Sequence, residues 1–310
     1  MNEIIKPLKK LPDKIKLGGD YNLTQYSMML GLLCKEEICI RNYNRSKDTS
    51  ITLDFLNSLG CTTEKSATEI IVKINSPLQI DECAELSFFG GAVPLSLIIG
   101  YLAGKNICCS LHYGEFINSD LVDLLIEYFS KYGIDLFHKA EIRKIYFRSS
   151  PESPIEITLS NALPYLKNGL LFYSLTCGQS ISIKETIVSE TGFEKLITNF
   201  GGDLSFEEIK SEMIVDPNDP RKKIRVKNFD YKRKIDFKRL SEIKGGEIDI
   251  PSDFHSLAAF MLLAILKKQS LTITDVYLNE SMHRFIKFIK GFAADIELSK
   301  KKPSDNYEKW

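Results

Sequence analysis

The chain of 310 residues is poor in the residues that several common chemistries require. It has four histidines and one tryptophan, Trp310. Its seven cysteines are Cys34, Cys39, Cys61, Cys83, Cys108, Cys109 and Cys177. They form no C-x-x-C pair, and no histidine stands at zinc-ligand spacing from them, so no metal and no cofactor is expected. Free thiols in a reducing cytoplasm suit this pattern better than disulfides. Lys+Arg and Asp+Glu balance at 41 each, leaving no excess charge for a general nucleic-acid or membrane-surface role. The local basic run Pro220-Arg-Lys-Lys-Ile-Arg-Val-Lys, with Lys232-Arg-Lys after it, reads as a solvated loop and strand edge or as a patch. No apolar stretch reaches the ~20 residues of a membrane span. Met1-Asn-Glu-Ile-Ile-Lys lacks the apolar core of a signal peptide, so a cytoplasmic protein is expected.

What the chain does have is a unit that recurs four times. Each copy begins with an apolar helix: Tyr26–Cys34, Pro94–Ala103, Tyr165–Leu175 and Ser256–Leu266. A turn follows, then a short β-branched strand: Ile38–Arg41, Ile107–Leu111, Ile181–Glu185 and Leu271–Val276. An amphipathic segment then ends on Gly60, Gly133, Gly201 or Gly291, each suited to the left-handed position that closes a helix. A second strand after that glycine is clearest at Asp203–Phe206 and Asp295–Leu298. Such self-similarity predicts stacked supersecondary units sharing a core. The first helix of each unit is apolar almost all round, as in Leu95-Ser-Leu-Ile-Ile-Gly-Tyr-Leu-Ala, and is expected to be buried on every side. The second is amphipathic, with Leu121, Leu124, Leu125, Tyr128 and Phe129 at helical spacing.

The fold class is therefore α+β, built of repeated units. A three-unit domain is expected over 18–230. A reduced second domain takes 1–17 with 231–310 and holds one unit plus the strand Ile15–Leu17. Turn-rich linkers are read at Ser149-Ser-Pro-Glu-Ser-Pro and at Asp216-Pro-Asn-Asp-Pro-Arg, the latter as a hairpin loop. The tail from Lys300 to Trp310 is polar.

Four stretches carry a family likeness. Lys16-Leu-Gly-Gly-Asp-Tyr-Asn-Leu-Thr-Gln-Tyr-Ser-Met-Met-Leu is similar to G-[DS]-K-S-I-S-[HN]-R-A-L-x-L. Phe89-Gly-Gly-Ala-Val-Pro-Leu-Ser-Leu-Ile-Ile-Gly-Tyr-Leu-Ala-Gly is similar to G-N-S-G-T-x-x-R-L-L-x-G-L-L-A-G. Val188-Ser-Glu-Thr-Gly-Phe-Glu-Lys-Leu-Ile-Thr-Asn-Phe-Gly follows S-R-D-H-T-E-x-M-L-x-x-F-G, and Ile250-Pro-Ser-Asp-Phe-His-Ser-Leu-Ala-Ala-Phe follows V-P-G-D-x-S-S-A-A-F. On these motifs the chain resembles the enolpyruvyl transferases, in particular the 5-enolpyruvylshikimate-3-phosphate synthase branch. The resemblance implies an inside-out α/β barrel fold of two domains with three units each, closing on a ligand between them. It also implies transferase chemistry in aromatic amino acid biosynthesis. Against that pattern the chain is expected to hold four units of six.

The motif positions are largely rewritten. The family Lys becomes Tyr21, the next Ser becomes Asn22, and the Arg becomes Tyr26. Asn-Ser-Gly-Thr becomes Gly90-Gly91-Ala92-Val93, and the Arg that follows becomes Ser96. A further R-P aligns with Asp120-Leu121, and S-[AS]-Q becomes Leu163-Pro164-Tyr165. Ser189 and Asp253 remain in place. The family reaction holds two anions together, which calls for cations, and each lost charge-assisted clamp removes roughly 1.5–3 kcal/mol.

Candidate catalytic residues are Asp253, read as a helix cap or a base, and His255, read as exposed and structural or as the partner of Asp253. Candidate substrate-binding residues are Tyr21, Asn22, Tyr26, Gly90, Gly91, Ser96, Tyr165 and Ser189. The Gly90-Gly91 pair suits an anion cradle or close helix packing. The three tyrosines either fill the cleft or line it for an apolar or aromatic ligand. Lys167 is explained by packing.

The expectation for function is a degenerate family member without carboxyvinyl transfer, acting as a binding or scaffold protein. A working transferase that draws on Lys and Arg of 221–234 is the alternative, and a new enzyme on Asp253 and His255 is a third. Expected partners are a small-molecule ligand in the inter-lobe cleft and a second copy or other protein at the reduced domain. No nucleic acid and no membrane is expected.

Overall fold

The computed structural model describes residues 10–74, 80–81, 83–149, 154–209, 213–216, 219–225, 231–238, 242–276, 280–292 and 294–299. Its elements run β1 (Lys14–Lys16), α1 (Tyr21–Leu30), β2 (Ile38–Arg41), α2 (Lys47–Ser58), β3 (Cys61–Lys65), β4 (Glu69–Ile74), β5 (Glu85–Phe88), α3 (Ala92–Gly104), β6 (Cys109–Tyr113), α4 (Ser119–Lys131), β7 (Asp135–Lys139) and β8 (Lys144–Ser149). They continue with β9 (Ile155–Leu159), α5 (Pro164–Cys177), β10 (Ile181–Glu185), α6 (Gly192–Asn199), β11 (Leu204–Glu208), β12 (Met213–Asp216), β13 (Asp219–Arg225), β14 (Arg233–Phe237), β15 (Gly246–Asp249), α7 (Phe254–Lys267), β16 (Thr272–Thr274) and α8 (Glu280–Lys290).

Three sheets share one plan. Their strand orders are β15-β2-β4-β3, β5-β6-β8-β7 and β9-β10-β14-β11. In each, the strand after a unit's first helix has one parallel and one antiparallel neighbour. For three of the four copies read from the sequence, the repeat is thus a structural repeat. Strands β2 and β10 fall on the expected residues. Between β11 and β14 the chain makes the β12–β13 hairpin. Of the basic run 220–227, residues 220–225 lie in β13, while 226–227, the linker core 150–153 and the tail 300–310 lie outside the described residues.

The first three units surround one core that takes in α1, α3 and α5. Every residue of α3 from Val93 to Gly104 is buried. The helices approach closely because glycine meets glycine: a Cβ on Gly100 would lie 2.1 Å from the Gly169 carbonyl oxygen. Left-handed glycines follow the second helices at Gly60, Gly133 and Gly201, with φ of 95°, 83° and 93°.

Beyond residue 230, β14 pairs with β10 and β11, β15 completes the first unit's sheet beside β2, and the shared core runs on to Ile250. Other expectations are corrected. Helix α1 starts at Tyr21 and not Tyr26, because Asp20 caps it by accepting from Leu23 N at 2.9 Å. Gly291 has no positive φ, since its N–H still bonds helically to Lys287 and Phe288. Residues 295–298 form no strand and do not extend the β1–β16 sheet. In α7 only Leu257 is buried, so the fourth unit's helix is not enclosed. It packs on a small separate cluster with Leu17, Met282 and Ile286.

Candidate functional site

Two segments cross between the lobes and pair with each other. Asp20 N donates to Pro251 O at 2.8 Å and Asp253 N to Gly18 O at 2.9 Å, with Gly19 bridged to Ser252. A side chain at 19 would strike the Asn42 carbonyl at 1.9 Å, so only glycine allows the crossing. Each aspartate caps the helix that follows it. Asp20 Oδ1 accepts from Leu23 N, and Asp253 Oδ1 from Ser256 N at 2.7 Å. The Asp20 carboxyl is held above its ordinary range, chiefly by burial and also by Asp253.

The early cap brings Tyr21 and Asn22 into the first turn of α1. The Tyr21 hydroxyl donates to Asp48 Oδ2 at 2.7 Å. This pair lies against Gly91, the N-cap of α3: a Cβ there would come within 2.5 Å of Tyr21 Oη and 2.7 Å of Asp48 Oδ2. A helix N-terminus attracts anions. Here the chain's own carboxylate already sits beside it. Tyr165 lies near enough to Tyr21 to influence its ionisation, and burial and Asp48 push the Tyr21 phenol well up.

Asn22 Nδ2 donates to Glu190 Oε2 at 3.1 Å. Glu190 occupies the arginine position of S-R-D-H-T-E. Burial, with Asp20 as the next cause, lifts its carboxyl from 4.5 to about 7. Its cationic neighbour Lys167 works against that shift.

Lys167 has a different role from the expected one. It is wholly buried in α5, and its Nζ lies 2.7 Å from Glu194 Oε1 and 3.5 Å from Glu185 Oε1. It also donates to the Glu190 carbonyl. Arg233 of β14 lies 3.4 Å from Glu194 and 3.6 Å from Glu185. Two cations thus balance two carboxylates. Glu185 Oε1 also accepts from Ser189 N at 3.1 Å and Ser189 Oγ at 2.6 Å. The buried cluster therefore fixes the Ser189–Glu190 turn, and packing alone does not account for Lys167.

The structure brings Tyr21, Asn22, Gly91, Ser189 and Asp253 to the region where α1 enters the large lobe. Tyr26 lies beneath the same region: it is buried, its hydroxyl accepts from Asn168 Nδ2 at 2.9 Å, and burial, with Glu190 and Glu194 as the next causes, holds its phenol well above the usual range. Others lie elsewhere. Ser96 is buried on α3 and donates to Val93 O at 2.8 Å, against the α3–α5 contact. Gly90 packs on the Phe88 ring. His255 is 87% exposed, and its Nδ1 is 3.8 Å from Asp253 Oδ2, beyond hydrogen-bond reach. Asp20, Asp48 and Glu190 escaped the sequence reading. Glu190 left a signal, a reversed charge at a motif arginine, and Asp20 left one as a cap residue three before Leu23. Asp48 left none, since only tertiary folding carries α2 to Gly91.

Comparison with known proteins agrees with this architecture. A model of the family EPSP synthase (3-phosphoshikimate 1-carboxyvinyltransferase) matches residues 5–307. The 3-phosphoshikimate 1-carboxyvinyltransferase of Petrotoga mobilis is 23% identical over 308 residues, covering 97% of this chain and 66% of the relative. That of Thermodesulfovibrio yellowstonii is 25% identical over 303 residues, covering 96% and 65%. The solved EPSP synthase of Acinetobacter baumannii superposes with a TM-score of 0.75 at 17% identity, over 94% of this chain and 62% of that one. The enolpyruvyl transferase NikO of Streptomyces tendae superposes at 0.55 with 10% identity, over 81% and 54%. The chain spans just under two thirds of the length of these carboxyvinyltransferase relatives. With the family pattern matched from residue 5 to residue 307 and the same fold beneath it, the chain belongs to the EPSP synthase family.

Proposed function

We propose that this chain is a binding member of the family that does not carry out carboxyvinyl transfer. The observation that carries the reading is Glu190. It stands at a motif arginine, bonded to Asn22 and backed by Asp20, in the turn that also holds Ser189. Asp48 adds a second carboxylate at the start of α3. Like charges about 4 Å apart near a protein surface repel by about 4 kcal/mol, and Glu190, whose carboxyl is lifted to about 7, carries its full charge only above neutral pH. A cleft with these groups disfavours two phosphorylated anions and favours an uncharged or cationic small molecule.

Two of the described cations of 221–234, on which the alternative of a working transferase draws, are already engaged. Arg233 is committed to Glu185 and Glu194, and Lys234 to Asp236 at 3.0 Å. The exposed His255 at 3.8 Å from Asp253 gives little support to a new acid–base pair. The free cysteines fit a reducing cytoplasm, and among the described residues no helix is long and apolar enough to cross a membrane.

The test is calorimetry with shikimate 3-phosphate and phosphoenolpyruvate, together with an assay of phosphate release from the pair. No heat of binding and no phosphate are expected. Phosphate release above the no-protein control overturns the reading.

A further inference from the structure

The fold treats the seven free thiols unequally. Cys34, Cys61 and Cys109 are buried, and burial pushes their thiols up to about 12, 11 and 12. Cys177 is half-buried, and burial raises it as well. Cys39 is raised by burial and then by the Glu69 carboxylate, whose Oε2 lies 3.7 Å from its Sγ. A thiol held in its protonated form is a poor nucleophile, because the thiolate is the reactive species. The two exposed thiols are Cys83 and Cys108.

Distant in sequence, these two meet at the edge of the second unit's sheet. Strand β5 is an edge of that sheet and pairs with β6 in parallel. The register sets Glu85 beside Ser110. Ser110 N donates to Ala84 O at 2.9 Å, and Cys83 N donates to Cys108 O at 2.6 Å, so the ladder runs back to Cys83 beside Cys108. Burial assigns the faces. Cys109 is buried and Ala84 packs on the core, while Cys83 and Cys108 both face solvent, as strand alternation requires. Paired strands lie ~4.8 Å apart, within the ~4.4–6.8 Å that separates the Cα atoms of bonded cysteines. Cys83 also has a φ of 66°, a left-handed conformation that cysteine seldom adopts. It is held in a turn in which Ala84 N donates to Asp81 O at 3.1 Å.

We propose that Cys83 and Cys108 are a redox modification site, closing to a reversible disulfide that clamps the edge strand β5 to β6, with glutathione disulfide as the oxidant. One cysteine thiolate attacks a sulfur of glutathione disulfide and expels a glutathione thiolate. The other cysteine thiolate attacks the protein sulfur of the mixed disulfide and expels the second glutathione. The cysteine pair gives up two electrons and two protons, and two glutathione thiols carry them away. The Cβ atoms of strand neighbours stand at about the strand spacing, slightly beyond the ~3.5–4.5 Å of a relaxed disulfide. The bond is therefore made under strain and is readily reduced, which suits a switch better than a permanent crosslink. The closed loop holds β5, the Gly90–Gly91 turn and all of α3. The pair lies at the end of β5 away from that turn, and the proposal does not depend on what the cleft binds.

The experiment treats the full native chain with glutathione disulfide and reads intact mass, a non-reducing peptide map and amide hydrogen exchange. Wild type is expected to lose two hydrogens per chain and retain no glutathione, with the bridge mapping to positions 83 and 108. Cys83→Ser and Cys108→Ser are each expected to melt as wild type does and to keep one glutathione per chain, since the resolving thiol is gone. Amide exchange over 83–88 is expected to slow about tenfold or more on oxidation and to recover with dithiothreitol. A wild type that carries glutathione on both cysteines without bridging them overturns the proposal. A bridge that uses any other cysteine does so too. A bridge that leaves the exchange of 83–88 unchanged overturns the clamp.

Discussion

Asp20 and Asp253 lie side by side on the paired segments that join the two lobes, and each carboxylate caps a helix belonging to a different lobe. Asp253 also helps raise the Asp20 carboxyl. The two roles separate by substitution. Asn caps a helix about as well as Asp but carries no charge. Asp20→Asn is therefore expected to leave the urea midpoint at pH 7 unchanged or higher. Asp20→Ala, which removes the cap as well, is expected to cost about 1 kcal/mol.

The carboxyl of Glu190 gives the protein a pH signature. Its folded value of about 7 lies above the ordinary 4.5, so the native chain holds that proton more tightly than the unfolded chain. Native binding exceeds unfolded binding between about 4.5 and 7, and stability therefore falls as pH rises through that window. At 1.36 kcal/mol per unit the loss reaches up to about 3 kcal/mol and is complete above it. Asp20, also raised, contributes in the same direction. Glu190→Gln can still accept from Asn22. It is expected to flatten the profile of midpoint against pH and to exceed wild type at pH 8.

Lys167 is the cation on which the Ser189–Glu190 turn depends. Lys167→Met keeps most of the side-chain volume but leaves Glu185 and Glu194 with Arg233 alone, at 3.4 Å or more. An uncompensated buried charge costs about 3–5 kcal/mol, and a drop of that size in urea unfolding is expected. The exposed pair Lys35–Glu242 is the control, and Lys35→Ala is expected to leave the midpoint in place.

Much of the fold was legible because it is local. Ile38–Arg41 and Ile181–Glu185 alternate β-branched apolar residues between turns, and the strands fall there to the residue. Tyr21 and Asn22 were placed outside the helix because apolar periodicity ignores polar first turns. The cap at Asp20 was the better guide. The place of β14 is not legible locally, because it pairs with β10, 48–56 residues upstream, and with β11, 25–33 residues upstream, and no local pattern records those pairings. A lysine inside Leu166-Lys-Asn-Gly-Leu signals that a buried anion must exist. Which carboxylate answers it is a tertiary fact.

The α3–α5 contact is set by two glycines with nothing between them. At Gly100 an added methyl meets backbone, the Gly169 carbonyl at 2.1 Å, which cannot turn aside as a side chain does. Gly100→Ala is expected to destabilise by about 1–3 kcal/mol through overpacking. Gly18→Ala, where no atom lies within 4 Å, is expected to change the thermal midpoint little.

The resident carboxylate at α3 offers a direct probe of whether the start of that helix takes an anion. Asp48 Oδ2 takes the Tyr21 hydroxyl and sits beside Gly91, where the helix N-terminus presents unpaired N–H groups. An incoming phosphate meets that charge before it meets the helix. Asp48→Asn keeps the shape and an acceptor for Tyr21 but removes the charge. Inorganic phosphate is then expected to shift the Gly91 and Ala92 amide resonances in a saturable way, with a gain in affinity of about tenfold or more, the equivalent of about 1.4 kcal/mol. In wild type the same titration is expected to leave those amides still. Equal shifts in both proteins exclude Asp48 as the group that keeps anions out.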